Sequence, residues 1–258
     1  EHLAVEQGES RWPLGITEID HLLGGGLVTN DLHEVRCSLS RDMGAACGFL
    51  LALLSRLKND HEIIWIGETP NLADTGNLFP DGLNYFGVDS SRLVHITTPH
   101  LKDCLWAAGE AAKTCNLAAV ILHIKGHHRA FDLSASRKLM LRAQTSGTTL
   151  FVLRQAGEEE ASSAATRWHI VPAPSLPDQL YHKGIGPVRM LVTLEKNRHG
   201  QTGQWTLSWN SQTRSLEHDA EDTSSTHSPL PFHAPANRPH HAGSLGEIVA
   251  GQWKQRAS

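Results

Sequence analysis

From residue 42 to about residue 58 the apolar side chains Ala45, Ala46, Phe49, Leu50, Leu53, Leu54 and Leu57 recur at spacings of three and four, one face of an amphipathic helix. Residues 63–66 follow as an unbroken apolar run of strand length, the pattern of a strand covered on both faces. The exchange then repeats. Leu101, Cys104, Leu105, Ala108, Ala111, Ala112 and Cys115 mark a second helix, and residues 118–124 a second buried strand. A third helix over 134–145 turns Leu139, Met140 and Ala143 inward and Arg137, Lys138 and Arg142 outward, then leads through Ser146-Gly147 into a strand over 148–153. Upstream, residues 14–23 read as a short helix capped by Thr17, with Asp20 three residues on and a stop at Gly24-Gly25-Gly26, before a strand over 32–36. Strands and helices alternating over short connections predict an α/β fold, a mostly parallel central sheet flanked by helices. Beyond Gln155, residues 188–196 and 205–209 are β-rich around the turn residues 199–203, which predicts a C-terminal β-meander completing the sheet.

The ends read differently. Residues 1–10 form a flexible N-terminus, 11–216 the folded domain, and 217–244, rich in Ser, Thr, Pro, His and Asp, a disordered linker. In the terminal segment 245–258, Ile248, Val249 and Trp253 share one side of a short helix; it either docks on a partner or folds back on the domain.

A length of 258 residues suits one domain with appendages. The longest apolar runs, such as 117–122 and 49–54, are far shorter than the ~20 residues of a spanning helix, so no membrane segment is expected. No secretory leader opens the chain, and it starts without Met, so a trimmed or incomplete N-terminus in the bacterial cytoplasm is the expectation. Cys37, Cys47, Cys104 and Cys115 form no C-x-x-C pair and read as small apolar residues. The net charge of −4 hides an asymmetry: residues 1–90 carry 5 basic and 14 acidic side chains, residues 91–216 carry 15 basic and 8 acidic. That pattern suggests two opposed surfaces, the positive one facing partners. Seventeen His invite a metal reading, but the pairs His127-His128 and His240-His241 sit at neighbouring positions that point apart, and no H-E-x-x-H or Cys/His spacing occurs. No metal and no cofactor is expected, and no G-x-S-x-G elbow marks a nucleophile.

The order of elements resembles the RecA core. Leu32-His33-Glu34-Val35 stands where that family has the strand entering its phosphate loop, and 83–89 with Arg92-Leu93 resembles the segment before its third strand. Phe151-Val152-Leu153-Arg154-Gln155 takes the place of the strand ending in a polar switch residue. More narrowly, the chain resembles the ImuA family, RecA-like accessory proteins of bacterial damage-induced mutagenesis. The matching residues are Leu14-Gly15-Ile16, Ile19-Asp20, 22–27 before Leu32-His33-Glu34, Thr166-Arg167-Trp168, and Leu194-Glu195-Lys196-Asn197-Arg198-His199-Gly200 with Gly203-Gln204-Trp205.

Within that resemblance the decisive feature is an absence. A phosphate loop needs Gly-rich backbone, a Lys for the phosphates and a Ser/Thr for Mg²⁺. Here the stretch is Cys37-Ser38-Leu39-Ser40-Arg41-Asp42-Met43-Gly44, with Met43 at the Lys position and Gly44 at the hydroxyl position. His123 replaces the metal-holding Asp, and Glu68, near the general-base position, is left without a site to serve. The reading is a non-catalytic RecA-like adaptor in SOS-type translesion DNA synthesis, with no catalytic residues. By resemblance its partners are a Y-family-like polymerase homologue of the ImuB type and an error-prone C-family polymerase; RecA and a second copy of the chain are further candidates. The surfaces expected to serve are the sheet edge, the positive 91–216 face and the terminal peptide. For DNA, Lys125 and Arg129 with Arg137, Lys138 and Arg142 form a weak phosphate-tracking patch, and Trp168 beside Arg167 a stacking candidate, against which stand a solvated helix face and a packed Trp. The loop from Ala156 through Glu158-Glu159-Glu160 opposes phosphate. The rival readings are a SulA-type cell-division inhibitor and an active RecA/RadA-type ATPase.

Overall fold

A computed structural model of the chain describes residues 10–57, 60–177, 184–198 and 200–219; the terminal peptide with Ile248, Val249 and Trp253 lies outside them. A two-residue strand β1 (Arg11–Trp12) pairs antiparallel with β2 (Leu27–Val28), bracketing helix α1 (Thr17–Leu22). Thr17 is not the cap: it is the first helical residue, and the Asp20 carboxylate reaches back to accept from the N–H groups of Leu14 (2.7 Å) and Gly15 (2.9 Å). Gly26 then turns at φ +127°, where an added Cβ would stand 2.3 Å from the Trp12 carbonyl oxygen, so the return to β2 admits only Gly.

The remaining strands form one sheet. In chain order they are β3 (Leu32–Arg36), β4 (Glu62–Glu68), β5 (Leu93–Thr98), β6 (Leu117–Lys125), β7 (Leu150–Gln155), β8 (Thr166–Ala173), β9 (Arg189–Asn197), β10 (Gly203–Asn210) and β11 (Ser215–His218). Across the sheet the order is β11-β10-β9-β8-β3-β7-β6-β4-β5. From β5 to β8 all neighbours are parallel; β9, β10 and β11 add on antiparallel. Glu217 and His218, assigned by sequence to the linker, are the end of β11, because the strand pairs with Leu207 and Ser208. β8, which the hydrophobic pattern did not announce, fills the gap between the parallel core and the meander.

Helices α2 (Met43–Leu54), α3 (Thr69–Thr75), α4 (Pro80–Tyr85), α5 (Leu101–Ala111) and α6 (Leu133–Ser146) complete the chain. Two hydrophobic clusters mark the two sheet faces. One joins α1, α2 and Leu83 of α4 to Val35, Trp65, Phe151, Trp168 and Trp209; the other joins α5 and α6 to Ile66, Val120, Leu122 and Val152. α2 departs from the predicted single buried face: Met43, Ala46, Phe49, Leu50, Leu51, Leu53 and Leu54 are all buried, because α1 and α4 cover its outer side. Each such Leu or Phe contributes about 1.5–3 kcal/mol through burial. α6 is capped by Asp132, whose Oδ1 accepts from Ala135 N at 2.7 Å, and is ended by Gly147 at φ +79°. No described helix is long and apolar enough to cross a membrane.

Candidate functional site

In an open parallel sheet ligands gather beyond the carboxyl ends of the strands. Here those ends bring together the stretch 37–44, His123, Gln155 and the loop after β7. Cys37 is buried; its N–H donates to Arg154 O (3.0 Å), and its carbonyl accepts from Gly157 N (3.1 Å). Burial pushes its thiol pKa up. Residues 40–42 form a short 3-10 turn before α2, Asp42 N bonding Leu39 O, so part of the backbone a phosphate would use is already committed. Met43 opens α2 with its side chain buried, Gly44 carries no side chain, and the Arg41 side chain is exposed, 3.8 Å from Asp42. His123 is 3% exposed, and burial holds its imidazole neutral, the pKa lowered to about 4. Its Nε2 meets Gln155 Oε1 at 3.2 Å, and Gln155 Nε2 donates to Ser40 Oγ at 3.2 Å. Gln155, placed by sequence at the end of a switch strand, thus links the His123 strand to the 37–44 stretch. Glu68 ends β4 toward α5, where burial first, and its charge among lesser causes, push the Cys104 thiol up.

Beside this chain lies a buried ionic network that the sequence reading missed. Glu34 of the central strand β3 is 1% exposed; its Oε2 accepts from Arg167 Nε (3.1 Å) of β8 and from the Ser162 hydroxyl (2.8 Å). Its Oε1 lies 3.5 Å from Arg154 Nη1 of β7, inside ion-pair range without hydrogen-bond geometry. Burial pulls the Arg154 pKa down and Glu34 opposes that shift. The guanidinium also stacks over Phe131, 5.8 Å from the ring centroid. The acidic loop folds inward onto these cations: Glu160 meets Arg154 at 2.8 Å and also contacts His127, while Glu159 meets Arg167 at 3.1 Å. At the strand ends Arg36 forks onto Glu195, its Nε 2.7 Å from Oε2, and Ser38 Oγ sits 2.9 Å from His169 Nε2.

These pairs correct two expectations. The acidic and basic halves of the sequence do not form two opposed faces: Arg154 and Arg167 pair with Glu34, Arg198 with Asp31 (2.8 Å) and Lys125 with Asp74, so the halves neutralise each other across the sheet. Arg167 and Trp168 are no stacking site. Arg167 is 3% exposed in the network, and Trp168 is wholly buried, its ring 5.4 Å from Phe49 and its Nε1–H donating to Thr166 (2.9 Å). Of the basic candidates, Arg129, Arg137 and Lys138 are exposed, Arg142 is half-buried against Gly109, and Lys125 is engaged by Asp74. The spacings could not announce the network, since Glu34 and its partners are more than a hundred residues apart.

The four cysteines are free: Cys37 and Cys104 buried, Cys47 half-buried, Cys115 exposed, the last departing from the apolar reading. Among the described residues no three His, Cys, Asp or Glu side chains converge as metal ligands.

No family model matches the chain. It is 31% identical over 200 residues, 71% of this chain and 77% of the relative, to Protein ImuA of Caulobacter vibrioides strain NA1000 / CB15N, and equally to Protein ImuA of strain ATCC 19089 / CIP 103742 / CB 15. With that identity across more than two thirds of the relative, and the α/β sheet complete through the region of the matching motifs, the chain belongs to the ImuA family.

Proposed function

We propose that the chain is a non-catalytic RecA-like adaptor in bacterial damage-induced, error-prone translesion synthesis. The observation that carries this reading is the state of the strand ends, where Met43, Gly44 and the neutral, buried His123 stand at the positions of phosphate-binding and metal-binding side chains. A RecA-like core is supported by the central β3, the parallel neighbours on both its sides and the antiparallel strands that follow. Without groups to hold phosphate charge and Mg²⁺, the site lacks the electrostatic stabilisation on which phosphoryl transfer depends.

An adaptor works through surfaces, and two suit that role. The outer edge of β5 has no strand partner among the described residues and exposes Val94, while the neighbouring α5 exposes Trp106 to 70%. The second is the segment 245–258, whose Ile248, Val249 and Trp253 are apolar residues available to a partner. Partners are a Y-family-like polymerase homologue and an error-prone C-family polymerase, with DNA reached weakly through Arg129, Arg137 and Lys138 or through the polymerases.

Co-expression with the two polymerases of the same genome tests this. Capture of the Y-family-like homologue by the full chain is expected. Deleting residues 245–258 should abolish capture while leaving the melting temperature unchanged. Capture of the tubulin-like division protein instead would favour the SulA-type reading and defeat this one.

A further inference from the structure

At the carboxyl end of β3, side chains from three neighbouring strands meet. His169 of β8 pairs with Arg36 of β3, and Ser38, two residues further on in the turn toward α2, returns to the same side. On β9 a bulge leaves Glu195 without a partner, since Arg167 faces Lys196 and Trp168 faces Leu194, and the freed side chain reaches Arg36 and His169. Ser38 Oγ lies 2.9 Å from His169 Nε2, and His169 Nδ1 lies 3.8 Å from Glu195 Oε1. Ser38 is exposed, and the His169 side chain keeps 22% of its surface in water. No sequence motif marks the group, because Ser38 and His169 are 131 residues apart.

The hydrogen bonds around Ser38 set where its proton points. Arg36 Nη1 donates to Ser38 Oγ at 3.3 Å, which engages a lone pair of the oxygen and directs the hydroxyl proton to His169 Nε2. The ring then carries its own proton on Nδ1, toward the Glu195 carboxylate. Burial first and the Arg36 charge second lower the His169 pKa, so at neutral pH the ring is an uncharged base. A hydroxyl within ~2.6–3.2 Å of a neutral imidazole, with a carboxylate behind it, has the geometry of an activated nucleophile. Among the described residues the N–H groups of Leu39 and Ser40, just past the hydroxyl, meet no acceptor, which leaves donors for a developing oxyanion. The carboxylate gives weaker support than in a serine hydrolase: Arg36 forks onto Glu195, and 3.8 Å to His169 is ion-pair range, beyond hydrogen-bond reach.

We propose that Ser38 is a covalent acyl acceptor. Its Oγ attacks the carbonyl carbon of an activated ester or thioester while its proton passes to His169 Nε2. The carbonyl C–O or C–S bond then breaks, and the same proton leaves on the released alcohol or thiol. One donor molecule is consumed, one ester bond forms on Ser38, and no oxidant or reductant is needed. Because Arg36 rather than the imidazole holds Glu195, His169 is a weak base for the second attack, by water, and the acyl group stays. The reaction is a single event per chain, separate from phosphoryl transfer, and sits beside the adaptor reading without altering it.

The test incubates the full chain with p-nitrophenyl acetate and, in a parallel arm, with S-phenyl thioacetate, following release of the leaving group and locating the acetyl group by peptide mass mapping. One equivalent should be released in a burst, with the acetyl group on Ser38, before release falls to the rate of Ser38→Ala. Ser38→Ala should remove the burst and Ser38→Cys keep it, both at an unchanged melting temperature because the side chain is exposed. His169→Gln should slow acetylation of Ser38 at least about a hundredfold, the low end of general-base catalysis. Urea-unfolded chain, which keeps Ser38 without its neighbours, should not react there. No acetyl-Ser38 from either donor, acetyl groups on lysines or other serines alone, the same rate at Ser38 in His169→Gln, or steady turnover well past one equivalent overturns the proposal. An inert Ser38 leaves the adaptor reading intact, since that rests on Met43, Gly44 and His123.

Discussion

Replacing Glu34 by Ala removes the one carboxylate among the described residues that pairs with both Arg154 and Arg167. Both side chains are nearly or wholly out of water, at 0% and 4% exposure, so neither guanidinium gains hydration when Glu34 is lost. Breaking a buried ionic contact from one side costs about 3–5 kcal/mol. The structure places Glu34→Ala toward the lower end, because Arg154 keeps Glu160 at 2.8 Å and Arg167 keeps Glu159 at 3.1 Å. At ~2–4 °C per kcal/mol for a domain of this size, the melting temperature falls by roughly 6–12 °C. Urea unfolding followed through the buried Trp168 and Trp209 measures this as a lower midpoint at constant slope. Glu34→Leu combined with Arg154→Met and Arg167→Leu should recover part of the loss, since replacing the most buried charges together by apolar side chains is near neutral, while Glu159 and Glu160, which lose their Arg partners, retain access to water. A Glu34→Ala midpoint indistinguishable from wild type, or a triple variant less stable than the single one, would refute the reasoning.

Three further outcomes follow from the same geometry. Trp168→Ala should cost about 3–5 kcal/mol in unfolding experiments, whereas a base-stacking Trp would lose single-strand affinity at constant stability. Lowering the pH from 7.5 to 5 should destabilise the chain: buried His33 and His123 have pKa values near 4, the unfolded chain takes up protons below ~6.5, and each His costs about 2 kcal/mol by pH 5. Urea midpoints should fall accordingly, less so in His123→Phe; a flat profile would contradict the buried neutral rings. Gly26→Ala should be strongly destabilising, because the new methyl meets the Trp12 carbonyl at 2.3 Å; an unchanged melting temperature would show that this turn adjusts freely.

β4, β6 and β7 of the parallel core were legible because they carry continuous apolar runs, and the missing phosphate-loop side chains because they fall within one local stretch. β8 was not, since Trp168 and Ile170 alternate with Arg167 and His169, and charges that read as surface are buried under the 156–165 loop by partners on β3 and β9. α3 and α4, at 7 and 6 residues, are too short to show a helical period, and Thr17 is no cap because the helix already begins at it; α1 has no side-chain cap, and Asp20 instead ties back the residues that lead into the helix. Charge segregation along the sequence misled for a related reason: β3 from the acidic half lies between β7 and β8 from the basic half, so opposite signs interleave.

The adaptor reading stands or falls on nucleotide. Titrating the purified full chain with Mg-ATP in a calorimeter, with and without single-stranded DNA, and following phosphate release is the most direct measurement. The account predicts no binding below ~1 mM and no hydrolysis above background. Micromolar binding of ATP, or DNA-stimulated turnover, would contradict it.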